Sequence, residues 1–168
     1  DHPNYQFVAA RLLLFALRKQ LFGRMHENPS VKDHVAKCVE KGVYDSDLMV
    51  LYSDEEFDKL QSFIDHDRDM LFTYAGLRQV VDKYLVQDRS TGKVYESPQF
   101  MYLLIAASIF SKYPKETRLD YVKKYYDAIS KHRINIPTPI MAGVRTPLRQ
   151  FASCVLVDID DTLDSIFS

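Results

Sequence analysis

The sequence predicts a mainly α-helical protein with one β-hairpin, followed by the first strand of an α/β unit. Apolar residues recur at helical spacing in most segments between residues 5 and 131. Residues 83–96 instead place aromatic and β-branched residues on both sides of a polar turn that contains Gly92. The run "SCVLVDI" (153–159) then has the length and composition of a strand. A chain of 168 residues, 46% hydrophobic, can form one full-sized core, or one domain with parts of its neighbours.

The first predicted helix covers residues 5–22 and is apolar along most of its length. Its expected apolar face is given by residues at i, i+4 and i+7, namely Val8, Leu12 and Phe15. Gly23 is typical of a helix end, since glycine adopts the left-handed conformation readily. Arg18 and Lys19 suit the negative end of the helix dipole, so solvation and dipole pairing are the simplest interpretation of both residues.

Two shorter helices are predicted next. The first lies within residues 28–42, ends at Gly42, and has an apolar face made of Val31, Val35, Cys38 and Val39. Cys38 is therefore interpreted as a core residue. The second begins at Ser53, where the spacing to Glu56 is that of a capping box.

The hairpin and two further helices complete the helical part. The residues assigned to the two hairpin strands are Tyr84, Val86, Val94 and Tyr95. Ser97 is the expected cap of the next helix and Pro98 its first residue, while Pro114 marks its end. An amphipathic helix over residues 117–132 follows. Residues 134–150 contain three prolines and are predicted to be extended and irregular.

Composition limits the classes of function. Twenty-two basic and 23 acidic residues give a net charge of -1, which disfavours sequence-independent nucleic-acid binding. The longest apolar run, residues 100–110, is too short to span a bilayer, and the start "DHPNYQ" lacks the features of a signal peptide. Two cysteines without zinc spacing favour a reducing compartment, so we expect a cytoplasmic protein with no membrane partner. Both ends look like points within a longer protein.

Several candidate sites stay open from the pattern alone. "HDRD" (66–69) contains metal-ligand residue types, but on a helix they point in too many directions to share one ion, so a charged helix start is the simpler interpretation. Cys154 fits packing at the head of a strand, but it would also fit a redox or nucleophilic site. Asp161 or Thr162 could cap a helix, or could bind a sugar hydroxyl beyond the carboxyl end of the strand.

One long motif resembles a known family. "PTPIMAGVRTPLRQFASCVL" (137–156) resembles the large, catalytic subunit of class I ribonucleotide reductase, the aerobic ribonucleoside-diphosphate reductase. Four other segments resemble the same subunit and occur in the same order as in that subunit. They are "YQFVAARLLLFALRK", "FIDHDRDMLFTYAG", "KYLVQDRSTGKVYESPQF" and "ETRLDYVKKYYDAIS". The resemblance therefore extends over essentially the whole chain.

The resemblance implies a domain arrangement. Residues 1–22 would form the C-terminal end of an ATP-cone, the domain that senses ATP or dATP. Residues 23–132 would form the helical N-terminal domain of the large subunit. Residues 133–168 would begin the catalytic ten-stranded α/β barrel, of which this chain would contain only the first strand.

The resemblance also implies roles for individual residues. Cys154 matches one of two redox cysteines, which helps to expel the 2′-hydroxyl of the substrate as water after a thiyl radical has removed the 3′ hydrogen. Ser153 matches a substrate contact, and Thr138 matches a residue at the phosphate end of the substrate. Lys19 matches a lysine that binds the phosphates of ATP or dATP, which reverses the simpler interpretation given above. The start of the specificity-effector site is matched by Asp161, Thr162 and Leu163.

Departures and absences limit what the chain can do by itself. Ala152 stands where the family commonly has serine, and Asp160 stands where it commonly has glycine. The chain lacks the radical-bearing cysteine and a disulfide partner for Cys154, so the isolated chain is predicted to be inactive. We expect no cofactor in this chain and a radical supplied by a metal-containing small subunit. One alternative is a non-catalytic nucleotide-binding or assembly piece of a split large subunit, and a second is a helical scaffold domain without a ligand.

Further partners are implied by the resemblance to the family. These are thioredoxin or glutaredoxin as reductant, a second large subunit in a homodimer, a ribonucleoside diphosphate substrate, and ATP, dATP and deoxynucleoside triphosphate effectors.

Overall fold

The computed structural model describes residues 2–24, 27–148, 151–152 and 154, which form a helical domain with one small hairpin. The eight α-helices of this part are α1 (Tyr5–Phe22), α2 (Val31–Glu40), α3 (Asp47–Leu51), α4 (Asp54–Phe63), α5 (Tyr74–Gln79), α6 (Pro98–Phe110), α7 (Lys115–Ser130) and α8 (Thr138–Gly143). A 3-10 helix (His66–Leu71) precedes α5, and a π-helical turn (Val80–Tyr84) follows it. The hairpin strands are β1 (Gln87–Asp88) and β2 (Lys93–Val94).

The ends of α1 are confirmed, but the predicted packing face is wrong. Gly23 closes the helix with a φ of 75°, and its N–H donates to the carbonyl of Lys19. Val8 and Leu12 are 49% and 63% exposed. The buried residues are Ala10, Leu14, Leu17 and Arg18. The helix carries two apolar stripes at the same spacing, so periodicity alone could not choose between them.

Short polar residues fix the starts of the next helices. Ser30 accepts a hydrogen bond from the backbone of Asp33 at the start of α2. The capping box of Ser53 and Glu56 at α4 is confirmed, with both reciprocal hydrogen bonds present. Glu56 also accepts a hydrogen bond from Arg118 Nε at 2.6 Å, which connects α4 to α7.

The hairpin is confirmed, but it is shorter than predicted. Only Gln87 pairs with Val94 and Asp88 with Lys93, in antiparallel register. Gly92 closes the turn with a φ of 69°. The assignment of Tyr84 to a strand is wrong, because Tyr84 ends the π-helical turn instead. Val86 and Tyr95 lie just outside the two strands, although the Tyr95 N–H donates to the Val86 carbonyl at 2.9 Å.

The core is built around α6. Residues 98–107 of this helix are all buried, which agrees with a helix that is apolar on every side. Helix α7 packs along α6, and α1 packs on α5. Ser97 occupies the N-cap position of α6 as predicted, but its hydroxyl makes no capping hydrogen bond.

The segment after α7 is more regular than predicted. Residues 138–143 form α8 rather than an irregular stretch, since proline is compatible with the first turn of a helix. The predicted strand over residues 153–159 lies outside the described residues apart from Cys154. The barrel and the domain boundaries therefore stay predictions. No helix in the described ranges is long and apolar enough to cross a membrane.

Candidate functional site

Thr138, which the resemblance places at the phosphate end of the substrate, begins α8. It follows Pro137 at the N-cap and is exposed. Its Oγ1 lies 3.2 Å from the phenol oxygen of Tyr84, a hydrogen-bonding distance. A cavity of about 400 Å³ lies beside this pair, with Tyr84, Ile136 and Met141 in its wall. Thr138 is therefore exposed, and its hydroxyl can form a hydrogen bond with Tyr84.

A fully buried ion pair lies behind Thr138. The side chains of Arg145 and Glu96 are both 0% exposed, and Arg145 Nε lies 3.0 Å and 2.8 Å from the two carboxylate oxygens. Arg145 Nη2 also donates to Glu96. Glu96 accepts further hydrogen bonds from the Tyr44 hydroxyl and, at 2.8 Å, from the backbone of Val86. The charge of Glu96 is thus compensated on all sides, as a buried carboxylate requires.

The remaining donors of Arg145 bind main-chain oxygens on two different elements. Nη1 donates to the carbonyl of Met141 in α8 at 2.6 Å. Nη2 donates to the carbonyl of Tyr84 at 3.0 Å. Because the guanidinium is planar and rigid, it sets the position of α8 relative to the π-helical turn. Arg145 therefore anchors the segment that continues toward Cys154.

The network ends at His34 and Cys38 on α2. His34 Nε2 lies 3.0 Å from the Tyr44 hydroxyl, and its ring stacks on Phe100. Burial lowers the pKa of His34 to about 4. Cys38 Sγ lies 3.9 Å from His34 Nε2, and burial raises the pKa of this thiol to about 12. Cys38 is only 3% exposed and packs in the core, which confirms its interpretation as a core residue.

The two basic residues near the end of α1 lie in different environments. Lys19 is exposed, whereas Arg18 is only 6% exposed. Arg18 Nη2 donates to the carbonyl of His66 at 2.9 Å and lies 3.6 Å from Asp69 Oδ2. The interpretation of Arg18 as a solvated dipole partner is therefore wrong, because its charge faces a buried carboxylate. Burial raises the pKa of Asp69 to about 7, while hydrogen bonding from Gln99 and the charge of Arg18 oppose that rise.

The "HDRD" segment forms a charged, capped 3-10 helix, which agrees with the simpler interpretation of this motif. Asp65 accepts a hydrogen bond from the backbone of Asp67, which caps the start of this helix. His66 packs edge-on against Phe100, and burial lowers its pKa to about 4. In the part of the chain that the structure describes, no group of three His, Cys, Asp or Glu side chains could hold a metal ion.

The described residues cover only three of the predicted site residues. Thr138 lies at the start of α8, Lys19 lies near the end of α1, and Cys154 is exposed. Four lie outside the described residues: Ser153, Asp161, Thr162 and Leu163. The sequence interpretation missed Glu96 and Arg145, and it misplaced Tyr84. No local signal in "MAGVRTP" identifies Arg145 as buried, because its partner Glu96 lies 49 residues away in the sequence.

Comparison with protein families defines the class of this fold. Residues 70–149 match the family model described as "Ribonucleotide reductase, all-alpha domain". This match covers the hairpin, α6, α7 and α8, together with Glu96 and Arg145.

Three curated relatives extend the similarity over the whole chain. The chain is 58% identical over 166 residues to ribonucleoside-diphosphate reductase 1 subunit alpha of Escherichia coli (strain K12), 59% to the subunit alpha of Haemophilus influenzae and 49% to that of Enterobacteria phage T4. Each alignment covers 99% of this chain and 22% of the relative. The chain therefore belongs to the family of class I ribonucleotide reductase large (alpha) subunits. It spans about a fifth of the length of the curated relatives that it matches.

Proposed function

We propose that this protein is part of a catalytic subunit that reduces ribonucleoside diphosphates to deoxyribonucleoside diphosphates for DNA synthesis. The observation that supports the proposal most is the identity of 58% over 99% of the chain with a subunit named ribonucleoside-diphosphate reductase. The aligned region includes the segment that carries Thr138, Arg145 and Cys154.

Cys154 is proposed as one of the two reducing thiols. A thiyl radical on another cysteine removes the 3′ hydrogen, after which a proton from a thiol allows the 2′-hydroxyl to leave as water. Two cysteine thiols together supply two electrons and become a disulfide. A dithiol reductant of the thioredoxin or glutaredoxin type then restores both thiols. A thiol suits this role because it can give a proton and then share the electron loss with a second sulfur.

The other proposed binding roles follow the same resemblance. Thr138 is proposed to bind the phosphate end of the substrate and Ser153 to contact the substrate. Lys19, whose ammonium group is exposed, is proposed to bind the phosphates of ATP or dATP. A deoxynucleoside triphosphate effector would be bound by Asp161, Thr162 and Leu163.

The proposed context is an assembly in the cytoplasm. Residues 1–22 are the proposed end of an ATP-cone, residues 23–132 the helical domain, and residues 133–168 the beginning of a ten-stranded α/β barrel. A second large subunit and a metal-containing small subunit that generates the radical are the proposed partners. The isolated chain of 168 residues is expected to show no turnover when the small subunit is added, because the radical-bearing cysteine is not in its sequence.

The test compares two alanine variants of the full-length protein. Cys154→Ala is expected to abolish multiple-turnover formation of deoxyribonucleoside diphosphate, because no disulfide can form at this position. Cys38→Ala serves as the matched control, since it removes a thiol that is buried in the helical domain. The control is expected to retain the kcat of the wild-type protein. Wild-type turnover by Cys154→Ala would contradict the proposed function.

A further inference from the structure

Tyr84 is held at both its main chain and its side chain. Its carbonyl accepts a hydrogen bond from Arg145 Nη2 at 3.0 Å, and its phenol oxygen lies 3.2 Å from Thr138 Oγ1. Tyr84 ends the π-helical turn, which is closed by a hydrogen bond of 3.0 Å from the Leu85 N–H to the Val80 carbonyl. A turn of this kind shifts the side chains that follow relative to an α-helix, and such turns are frequent at functional sites.

The position of Thr138 relative to Tyr84 is set by a buried group. Arg145 binds the carbonyl of Tyr84 with one nitrogen and the carbonyl of Met141 in α8 with another. Thr138 begins α8, so one guanidinium fixes the elements that carry both hydroxyl groups. Arg145 is itself held by Glu96, with both side chains 0% exposed. The Tyr84–Thr138 pair is therefore preorganised by the core of the domain.

The number of hydrogen-bond donors in this pair determines how the pair can bind a phosphate. Each of the two hydroxyl groups has one proton to donate, and an ionised phosphate oxygen can only accept. If Thr138 donates to phosphate, then Tyr84 must donate to Thr138. We propose that Tyr84 is a substrate-positioning residue, which orients the Thr138 hydroxyl so that its proton points at the diphosphate of a ribonucleoside diphosphate. This inference rests on the proposed function of the subunit.

The test uses Tyr84→Phe in the full-length protein, assayed with its small subunit. KM and kcat are measured for reduction of a ribonucleoside diphosphate, and the Kd of the same diphosphate is measured by titration calorimetry. Loss of one orienting hydrogen bond is expected to raise KM and Kd about threefold to tenfold, with kcat within about twofold of wild type. The control is Tyr52→Phe, which also removes a tyrosine hydroxyl. The Tyr52 hydroxyl donates a buried hydrogen bond of 2.7 Å to the carbonyl of Ala107. That control is expected to lower stability and leave KM unchanged.

A double-mutant cycle separates positioning from a general structural effect. Because Tyr84 acts through Thr138, Tyr84→Phe combined with Thr138→Val is expected to have the Kd of Thr138→Val alone. Penalties that add, or a Tyr84→Phe protein with wild-type KM and Kd, would overturn the inference. If the wild-type protein binds the diphosphate without reducing it and Tyr84→Phe still raises the Kd, the proposed function is contradicted but the positioning role of Tyr84 is supported. A wild-type protein that does not bind the diphosphate would overturn both.

Discussion

The buried pair of Glu96 and Arg145 allows a quantitative prediction about stability. Glu96→Gln keeps the shape of the side chain and removes its charge, which leaves the guanidinium of Arg145 without a counter-charge in the core. Both side chains are 0% exposed, so solvent cannot compensate for the loss. Breaking such a pair from one side costs ~3–5 kcal/mol in the free energy of unfolding. The Tyr44 hydroxyl, which donates to Glu96, would lose a charged acceptor as well.

The assay is equilibrium unfolding of the 168-residue chain in urea, followed by circular dichroism. With a dependence of ~1–3 kcal/mol per molar urea, a loss of ~3 kcal/mol lowers the unfolding midpoint by roughly 1–3 M. Glu116→Gln on the exposed surface of α7 is the matched control, and its midpoint is expected to equal that of the wild-type chain.

A cycle with Arg145→Met tests whether the two charges act as a pair. The double variant Glu96→Gln with Arg145→Met is expected to lose less stability than the sum of the two single losses, because it leaves no single charge buried. Additive losses, or a Glu96→Gln midpoint equal to that of the surface control, would refute the reasoning.

Three further predictions concern α1, the buried carboxyl and the cysteines. Leu14→Ala is expected to lower the free energy of unfolding by ~2–5 kcal/mol because Leu14 is 1% exposed, whereas Leu12→Ala, at a residue 63% exposed, is expected to be nearly neutral in the same urea assay; equal losses would contradict the assigned packing face. Because burial raises the pKa of Asp69 to about 7, the folded state keeps a proton that the unfolded state releases near pH 4, so this group lowers stability as pH rises from about 4 to about 7. The Asp69→Asn protein is expected to lack this slope, so the difference between its urea midpoint and that of the wild type changes between about pH 4 and about pH 7. Parallel pH profiles of the two proteins would disprove the prediction. At pH 8, iodoacetamide is expected to modify the exposed Cys154 well before Cys38, whose thiol pKa is raised to about 12, as followed by peptide mass spectrometry; equal rates would show that Cys38 is accessible.

Local signals predicted the elements of the fold well, because they depend on neighbours in the chain. The glycine after α1 and the capping box at Ser53 act within a few residues, and both were found where the pattern placed them. The packing face of α1 was not predictable, since its two apolar stripes have the same spacing. Tertiary partners decide which stripe is buried, among them Asp69, which lies 51 positions after Arg18.

The candidate site was predictable only through resemblance. Thr138 and Cys154 carry no local signal strong enough to assign chemistry, and the motif around them supplied their proposed roles. Glu96 and Arg145 are 49 residues apart, so no sequence period brings them together. The pattern around Tyr84 predicts a strand, because an aromatic side chain fits a strand and nothing local signals a π-helical turn.

The complete burial of α6 also affects how the chain must fold. A helix whose residues 98–107 are all buried has no face that water stabilises, so it cannot persist before its neighbours surround it. During synthesis α1 to α5 precede it, but α7, which packs along it, emerges later. A nascent chain that ends near Phe110 would therefore expose a long apolar surface, and the completion of α7 would be the step that protects it from aggregation.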